Sequence, residues 1–136
     1  ESRAIMLALK EAGINPDEVD FINTHGTGTK TGDIAETEAI NMVFGKRAFR
    51  IPATAAKSMT GHMLAASGAF EAAATLMSIR QGVIPPTMNL SEKDLECDIN
   101  ISAEKTNADI KTAVSNSFGF GGVNAVIALS AVRSNG

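Results

Sequence analysis

Both histidines of the chain lie in glycine-rich segments, where imidazole groups could act as acid–base groups or hydrogen-bond donors. His25 begins the sequence His-Gly-Thr-Gly-Thr at residues 25–29 and follows a short apolar run. In α/β folds, binding and catalytic residues often lie at the ends of strands, which favours a catalytic or binding role for His25. A turn with a surface histidine explains the segment equally well when it is taken alone.

The second histidine shares its segment with a lysine. Lys57 and His62 lie five residues apart in Lys-Ser-Met-Thr-Gly-His, directly before an alanine-rich stretch. The alternative to a functional pair is an ordinary helix start, with an exposed lysine and Thr60 as a cap.

A third glycine-rich segment covers residues 115–124, Ser-Asn-Ser-Phe-Gly-Phe-Gly-Gly-Val-Asn. Three glycines in four positions allow close backbone approach and accessible amides. Phenylalanines are unusual in such a turn, and the alternative is a plain hairpin whose Phe118 and Phe120 pack into the core. A dinucleotide site is disfavoured, because the order is not G-x-G-x-x-G and a strand follows where a helix is needed.

Other kinds of chemistry find no support. No spacing of histidine and cysteine fits a zinc site, and no G-x-S-x-G nucleophile elbow occurs. Cys97 is the only cysteine and is flanked by acidic residues, which raise a thiol pKa. We therefore interpret Cys97 as structural.

Composition excludes further classes of function. The net charge of -3 gives no basic surface for nucleic acid. No uninterrupted apolar run is long enough for a bilayer, and Glu71 and Arg80 interrupt the alanine-rich stretch, so we expect no membrane partner. A single cysteine fits a reducing compartment, and we expect a cytoplasmic location or an organelle stroma or matrix.

Hydrophobic periodicity predicts an α/β layered fold with a mixed sheet, helices on its faces and a closing β-hairpin. Predicted helices cover residues 4–12, 31–44 and 62–81, and predicted strands cover residues 19–23, 49–54, 99–101, 112–118 and 123–130. Small residues on every side of the 62–81 helix predict that it is buried. Residues 57–62 are predicted as a loop.

Length and ends complete this picture. The 136 residues fit one domain, covering 1–136, with a core that needs no staples. Residues 1–6 lack an initiator methionine and a signal peptide and have the pattern of a helix interior. We expect that the chain belongs to something longer.

Together the motifs resemble β-ketoacyl-ACP synthases of the elongating type. The matching stretches are residues 25–29, Gly32 and Asp33 with Glu36, residues 57–62, residues 82–90 and residues 116–122. The resemblance implies the C-terminal half of a thiolase-like fold, whose nucleophilic cysteine lies in the N-terminal half. It also implies that this half alone is inactive and that its normally covered face makes it self-associate.

The resemblance implies a decarboxylative Claisen condensation of malonyl-ACP with an acyl group held as a thioester. His25 and His62 would donate hydrogen bonds to the thioester oxygen as negative charge develops there. Lys57 would hold charge and geometry near His62, in a buried ion pair with Glu36. Phe120 would supply a backbone amide to the acyl oxyanion hole.

The remaining implied contacts concern substrate and partners. Thr27 and Thr29 would bind the phosphopantetheine arm, which arrives on the acyl carrier protein, so no resident cofactor or metal is expected. The ring of Phe120, with that of Phe118, would gate the acyl pocket, and Gly119 would take part in substrate binding. Expected partners are the acyl carrier protein, the N-terminal half and, in the full-length protein, a second copy.

Three alternatives stay open. A chain-length factor would pair with an active ketosynthase without catalysing, although retention of His25, Lys57 and His62 argues against it. A polyketide ketosynthase is the second, because Gly28 stands where many elongating synthases have serine. A plain structural module is the third.

Overall fold

The computed structural model describes residues 1–132. Its helices are α1 (Ser2–Ala12), α2 (Lys30–Phe44), α3 (Lys57–Thr60) and α4 (Ser67–Gln81). Its strands are β1 (Phe21–Asn23), β2 (Ala53–Thr54), β3 (Val83–Ile84), β4 (Thr106–Asn107), β5 (Thr112–Phe118) and β6 (Asn124–Ser130). Short 3-10 turns occur at Pro16–Glu18, Gly45–Arg47, Leu64–Ala66 and Phe120–Gly122.

Four strands form a mixed sheet in the order β2-β1-β5-β6. Strand β1 is parallel to both β2 and β5, with Asn23 opposite Thr54 on one side and Ser115 on the other. Strands β5 and β6 form the predicted antiparallel hairpin. Because β1 and β5 are parallel, the segments that follow them leave the same edge of the sheet. The mixed sheet and the closing hairpin are confirmed.

Helices α1 and α2 cover one face of this sheet with an apolar core. Ile5 and Leu9 of α1 and Ile40 of α2 pack with Ile22 of β1 and Val114 of β5, each at most 1% exposed. Burying such a side chain contributes about 1.5–3 kcal/mol. Gly13 ends α1 in the left-handed region at φ 67°, as its position predicts.

Helix α4 covers the other face with its polar side. Its buried residues are Ser67, Glu71, Thr75 and Ser78. Asn23 Nδ2 in β1 donates to Thr75 Oγ1 at 3.0 Å and to the Glu71 carbonyl at 3.2 Å. The opposite, apolar side carries the exposed residues Phe70, Leu76 and Met77. Within residues 1–132, the prediction that this helix is buried on every side is therefore wrong.

Several boundaries also differ from those predicted. The 62–81 helix begins at Ser67, because Gly61 at φ 71° and Leu64 at φ 53° interrupt regular helix before it. The loop predicted at 57–62 contains the single turn of α3. Of the strand predicted at 49–54 only β2 forms, and residues 99–101 contribute one parallel bridge, from Ile101 to Ala53. In the described part of the chain, no helix is long and apolar enough to cross a membrane.

Candidate active site

The two histidines meet at the carboxyl edge of the sheet. Their ring centroids lie 5.7 Å apart, with the planes at 85°, so one ring points its edge at the other. His25 reaches this point because it follows β1, and His62 because it follows α3 and Gly61. The sequence segments that carry them lie 37 residues apart and are brought together by the parallel sheet.

The third glycine-rich segment contributes one ring to this cluster. Phe118, the last residue of β5, places its ring centroid 6.0 Å from that of His25. Gly119 N donates to the Val123 carbonyl at 2.7 Å and so closes the turn at the end of the hairpin. Phe120 is fully exposed, at 105%, so its ring lies outside the histidine cluster.

Lys57 links His25 to helix α4. Its Nζ donates to the His25 carbonyl oxygen at 2.6 Å and forms a buried ion pair with Glu71 Oε1. The predicted pairing of Lys57 with Glu36 is wrong. The reason is that Glu71 lies on the buried side of α4, facing Lys57, whereas backbone amides already occupy Glu36. Burial raises the pKa of Glu71, and its contact with Lys57 opposes that rise.

Glu36 instead holds the loop that carries His25. The amides of His25 and Gly26 donate to its carboxylate at 2.8 and 2.9 Å, and Asn116 Nδ2 donates at 2.9 Å. Burial raises the pKa of Glu36 to about 7, and these donors oppose the rise because they favour the charged form. Glu36 is thus a support for the loop and has no direct contact with Lys57.

The loop after His25 is braced a second time from α2. Asp33 Oδ1 accepts a hydrogen bond from Gly28 N at 3.2 Å. The hydroxyls of Thr27 and Thr29 lie 3.0 Å apart. Gly32 makes room for them, since a Cβ there would lie 2.6 Å from Thr29 Oγ1. The two threonines therefore present a pair of hydroxyls in the loop after His25.

The surroundings of His25 favour its neutral form. Its pKa is lowered to about 4, first by burial and then by the charge of Lys57 and the proximity of His62. Its Nδ1 is buried and has no hydrogen-bond partner within residues 1–132. A neutral imidazole tolerates such a site better than an imidazolium does.

The tautomer of His62 follows from its backbone. Leu64 N lies 3.0 Å from His62 Nδ1 and can only donate, so Nδ1 must accept. The proton of the neutral ring therefore lies on Nε2. Leu64 adopts a left-handed conformation at φ 53° to point its amide at the ring, which is a strained backbone for leucine.

A cleft of about 690 Å³ opens beside these groups and is lined by Thr27, Lys57, His62 and Cys97, among others. Burial first, then the neighbouring acidic residues, raise the pKa of the Cys97 thiol, as the flanking acids predict. A thiol with a raised pKa is a poor nucleophile at neutral pH. Within residues 1–132, no group of three or more His, Cys, Asp or Glu side chains could hold a metal ion.

Sequence reasoning missed two supports of the site, Glu71 and Asn116. Both are buried, at 1% and 0% exposure. One signal for Glu71 was available in the sequence, because it is a carboxylate in a helix made mostly of small and apolar residues. A charged residue is rarely buried without a partner, so Glu71 could have been predicted to form an ion pair. Asn116 lies inside a matched motif, but nothing in its spacing indicates contact with α2.

Comparisons with known proteins agree with this arrangement. Residues 1–91 match the family described as "Beta-ketoacyl synthase, C-terminal domain". The chain is 47% identical to 3-oxoacyl-[acyl-carrier-protein] synthase 2 of Synechocystis sp. over 93% of this chain and 31% of that protein. It is 43% identical to Nodulation protein E of Rhizobium leguminosarum bv. trifolii over 95% of this chain and 32% of that protein.

Among solved structures, a chain of AntDE:AntF superposes with a TM-score of 0.93 and 42% identity, over 96% of this chain and 32% of that one. That structure is of a type II PKS acyl-carrier protein in complex with its ketosynthase bound to the hexaketide. The present chain spans about a third of the length of the curated relatives it matches. It belongs to the β-ketoacyl synthase family, through that family's C-terminal domain.

Proposed function

We propose that this chain is the C-terminal part of a 3-oxoacyl-ACP synthase that elongates acyl chains in fatty-acid synthesis. The reaction is the decarboxylative Claisen condensation of malonyl-ACP with an acyl group held as an enzyme thioester. The observation that carries the proposal is the approach of His25 and His62, with ring centroids 5.7 Å apart. Curated relatives named 3-oxoacyl-[acyl-carrier-protein] synthase 2 support the same chemistry.

The difficult step is loss of carbon dioxide, which leaves negative charge on the malonyl thioester oxygen. Two neutral imidazoles that donate N–H groups to this oxygen stabilise the enolate. The lowered pKa keeps His25 neutral, and the Leu64 amide keeps the proton of His62 on Nε2. An oxyanion donor in such a position lowers the barrier by about 3–4 kcal/mol.

Lys57 acts on this pair through its position and its charge. Its charge lies at the His25 carbonyl and disfavours an imidazolium at His25. Its partner Glu71 balances the charge inside the protein. Glu36 acts one step further away, by holding the amides of the His25 loop.

The other contacts follow from the same placement. The hydroxyls of Thr27 and Thr29 bind the phosphopantetheine arm of the acyl carrier protein, so the enzyme needs no cofactor of its own. Phe118 and Gly119 line the acyl pocket, and the Phe120 amide joins the oxyanion hole of the acyl thioester. The nucleophilic cysteine comes from the N-terminal half.

We extend the proposal to the assembly. Residues 1–136 form one domain that packs against the N-terminal half, and the full-length protein is a homodimer in the cytoplasm. The exposed apolar side of α4, which includes Phe70, Leu76 and Met77, supports a partner surface there.

A second candidate is a polyketide ketosynthase or its chain-length factor. The observation that favours it is the similarity to solved polyketide proteins, among them "the ishigamide ketosynthase/chain length factor", with a TM-score of 0.90 and 41% identity. Gly28 fits this class as well. Retention of both histidines and Lys57 favours a catalytic subunit over a chain-length factor.

Release of carbon dioxide from labelled malonyl-ACP by the full-length protein tests the proposal. His25→Ala and His62→Ala should each lower the rate by a factor of about 10² to 10³. Met42→Ala, at a position 76% exposed on α2, is the control and should leave the rate unchanged. Unchanged release in both histidine variants would overturn the proposal, and wild-type protein without release would favour the chain-length factor.

A further inference from the structure

Ser67, the first residue of α4, holds an unusual position for a serine. It is 4% exposed, and its hydroxyl contacts His62 and the turn that follows it. Its Oγ lies 2.9 Å from Met63 N and 3.1 Å from His62 Nδ1. A buried hydroxyl with two such neighbours requires an account of where its single proton points.

The directions of these hydrogen bonds are fixed by elimination. Met63 N is a backbone amide, so it donates and Ser67 Oγ accepts. Leu64 N also donates, to His62 Nδ1, so Nδ1 carries a lone pair and no proton. The remaining contact, between Ser67 Oγ and His62 Nδ1, therefore has the serine hydroxyl as donor.

We propose that Ser67 is a positioning residue for His62 in the condensing reaction. It orients the imidazole ring by donating to Nδ1, and it supports the turn whose Leu64 amide keeps the ring proton on Nε2. It also ties down the Met63 amide in the turn. This inference deepens the proposed function and rests on it.

The turn itself explains why a second support is needed. Leu64 is 78% exposed and lies in a left-handed conformation, so few packing contacts hold its amide in place. Ser67 belongs to a regular helix whose buried side packs on the sheet, so its position is well fixed. The hydrogen bond from Met63 N to Ser67 Oγ therefore ties the strained turn to this helix.

Removal of the hydroxyl has a defined consequence. In Ser67→Ala the Met63 amide loses its acceptor, so the turn that points the Leu64 amide at His62 Nδ1 is held less firmly. The ring then populates other orientations and the Nδ1–H tautomer, in which it cannot donate from Nε2. Loss of one such hydrogen bond corresponds to about a tenfold decrease in kcat for decarboxylation, with KM for malonyl-ACP nearly unchanged.

The test uses the full-length protein with ¹⁵N-labelled histidine, and a His62→Gln variant assigns the signal. Two-bond ¹H–¹⁵N correlations report which ring nitrogen carries the proton. We expect wild-type His62 to be protonated on Nε2 only, and Ser67→Ala to show a mixture of tautomers. Ser78→Ala is the matched control, since Ser78 lies on the same buried side of α4 and is 5% exposed.

Two results would overturn the inference. One is a wild-type His62 ring that is protonated on Nδ1. This result is obtained from the wild-type protein alone and does not depend on whether a variant folds. The other is a Ser67→Ala protein whose His62 tautomer and kcat match the wild type, while His62→Ala still abolishes decarboxylation. If His62→Ala instead retains full decarboxylation, the proposed function fails, whatever the tautomer experiment shows.

Discussion

The ammonium group of Lys57 donates to the backbone carbonyl of His25 at 2.6 Å, and its other contact is with Glu71 of α4. One buried cation thus joins the loop after β1 to the helix on the sheet face. Removal of either ionic partner leaves the other charge buried without compensation. The pair therefore supports both the stability of the domain and the electrostatics at His25.

The first prediction concerns the ion pair. Glu71→Leu in the full-length protein should lower the free energy of unfolding by about 3–5 kcal/mol, because the Lys57 ammonium group is left buried without its ionic partner. Adding Lys57→Met to Glu71→Leu should recover most of that loss. Urea unfolding of the single and double variants measures this coupling.

Asp109→Ala, which breaks an exposed pair with Lys111, is the control and should cost about 1 kcal/mol or less. Strictly additive losses at positions 57 and 71 would contradict the buried pairing.

The second prediction concerns pH. The pKa of His25 is lowered from 6.5 to about 4, so the ring stays neutral until the pH falls well below 6.5. The His25 ring should therefore gain its proton only as the pH falls toward 4. Lys57→Met removes a nearby positive charge, so the pKa of His25 should rise.

A ¹⁵N NMR titration of the His25 ring in both full-length proteins, assigned with His25→Gln, checks this. Lys30→Met is the control, because the Lys30 side chain is 74% exposed. A wild-type His25 ring that titrates near pH 6.5 would show that the ring is not held neutral.

The third prediction uses Glu36, whose pKa is raised from 4.5 to about 7. A carboxyl group with a raised pKa in the folded state contributes stability below pH 4.5 and loses it as the pH rises to about 7. Glu36→Gln does not titrate at this position. The stability of the wild type relative to Glu36→Gln should thus decline over this range, by on the order of 3 kcal/mol, and stay flat above it.

Urea unfolding of both full-length proteins at several pH values between 4.5 and 8 gives this difference. Other titrating groups largely cancel in the comparison, including His25, whose effect has the opposite sign. A difference that is independent of pH would mean that Glu36 titrates normally.

The fourth prediction concerns the threonine pair. In Gly32→Ala the new Cβ would lie 2.6 Å from Thr29 Oγ1, so the hydroxyls of Thr27 and Thr29 must separate. KM for malonyl-ACP should rise several-fold with little change in kcat, because the proposed role of these hydroxyls is to bind substrate and not to take part in the bond changes. Steady-state kinetics with Thr31→Ala as the exposed neighbouring control distinguishes the two parameters. Equal losses of kcat in both variants would argue against a binding role.

The fifth prediction concerns the exposed side of α4. The isolated 136-residue chain should self-associate, because Phe70, Leu76 and Met77 are 42–48% exposed on one helix side. Replacing all three with serine should reduce association, whereas Met42→Ser on α2 should not. Size-exclusion chromatography across a concentration series gives the result. A clean monomer of the unmodified chain at high concentration would contradict the prediction.

Convergence of the histidines could be predicted from the sequence, because His25 follows a strand and the matched motifs place His62 before a helix on the same sheet. The partner of Lys57 could not. Both Glu36 and Glu71 are carboxylates in helices, and only the packing of α4 decides which one faces the lysine. That packing is hard to foresee, since α4 turns its polar residues to the sheet and its apolar residues outward.

The position of Ser67 was unpredictable for a related reason. The periodicity of residues 62–81 indicates a continuous helix, in which a serine at residue 67 would lie more than one turn past His62. The left-handed residues Gly61 and Leu64 fold the segment back, so that the hydroxyl reaches the ring of His62. Local backbone breaks of this kind depend on tertiary contacts and leave little trace in hydrophobic patterning.

A structure of the full-length protein with a non-hydrolysable malonyl thioester analogue tests the central claim most directly. We expect the Nε2 atoms of His25 and His62 both to lie about 2.7–3.2 Å from the same thioester oxygen. A bound analogue whose thioester oxygen contacts neither ring would contradict this expectation. So would a structure in which the two rings contact different oxygen atoms of the analogue.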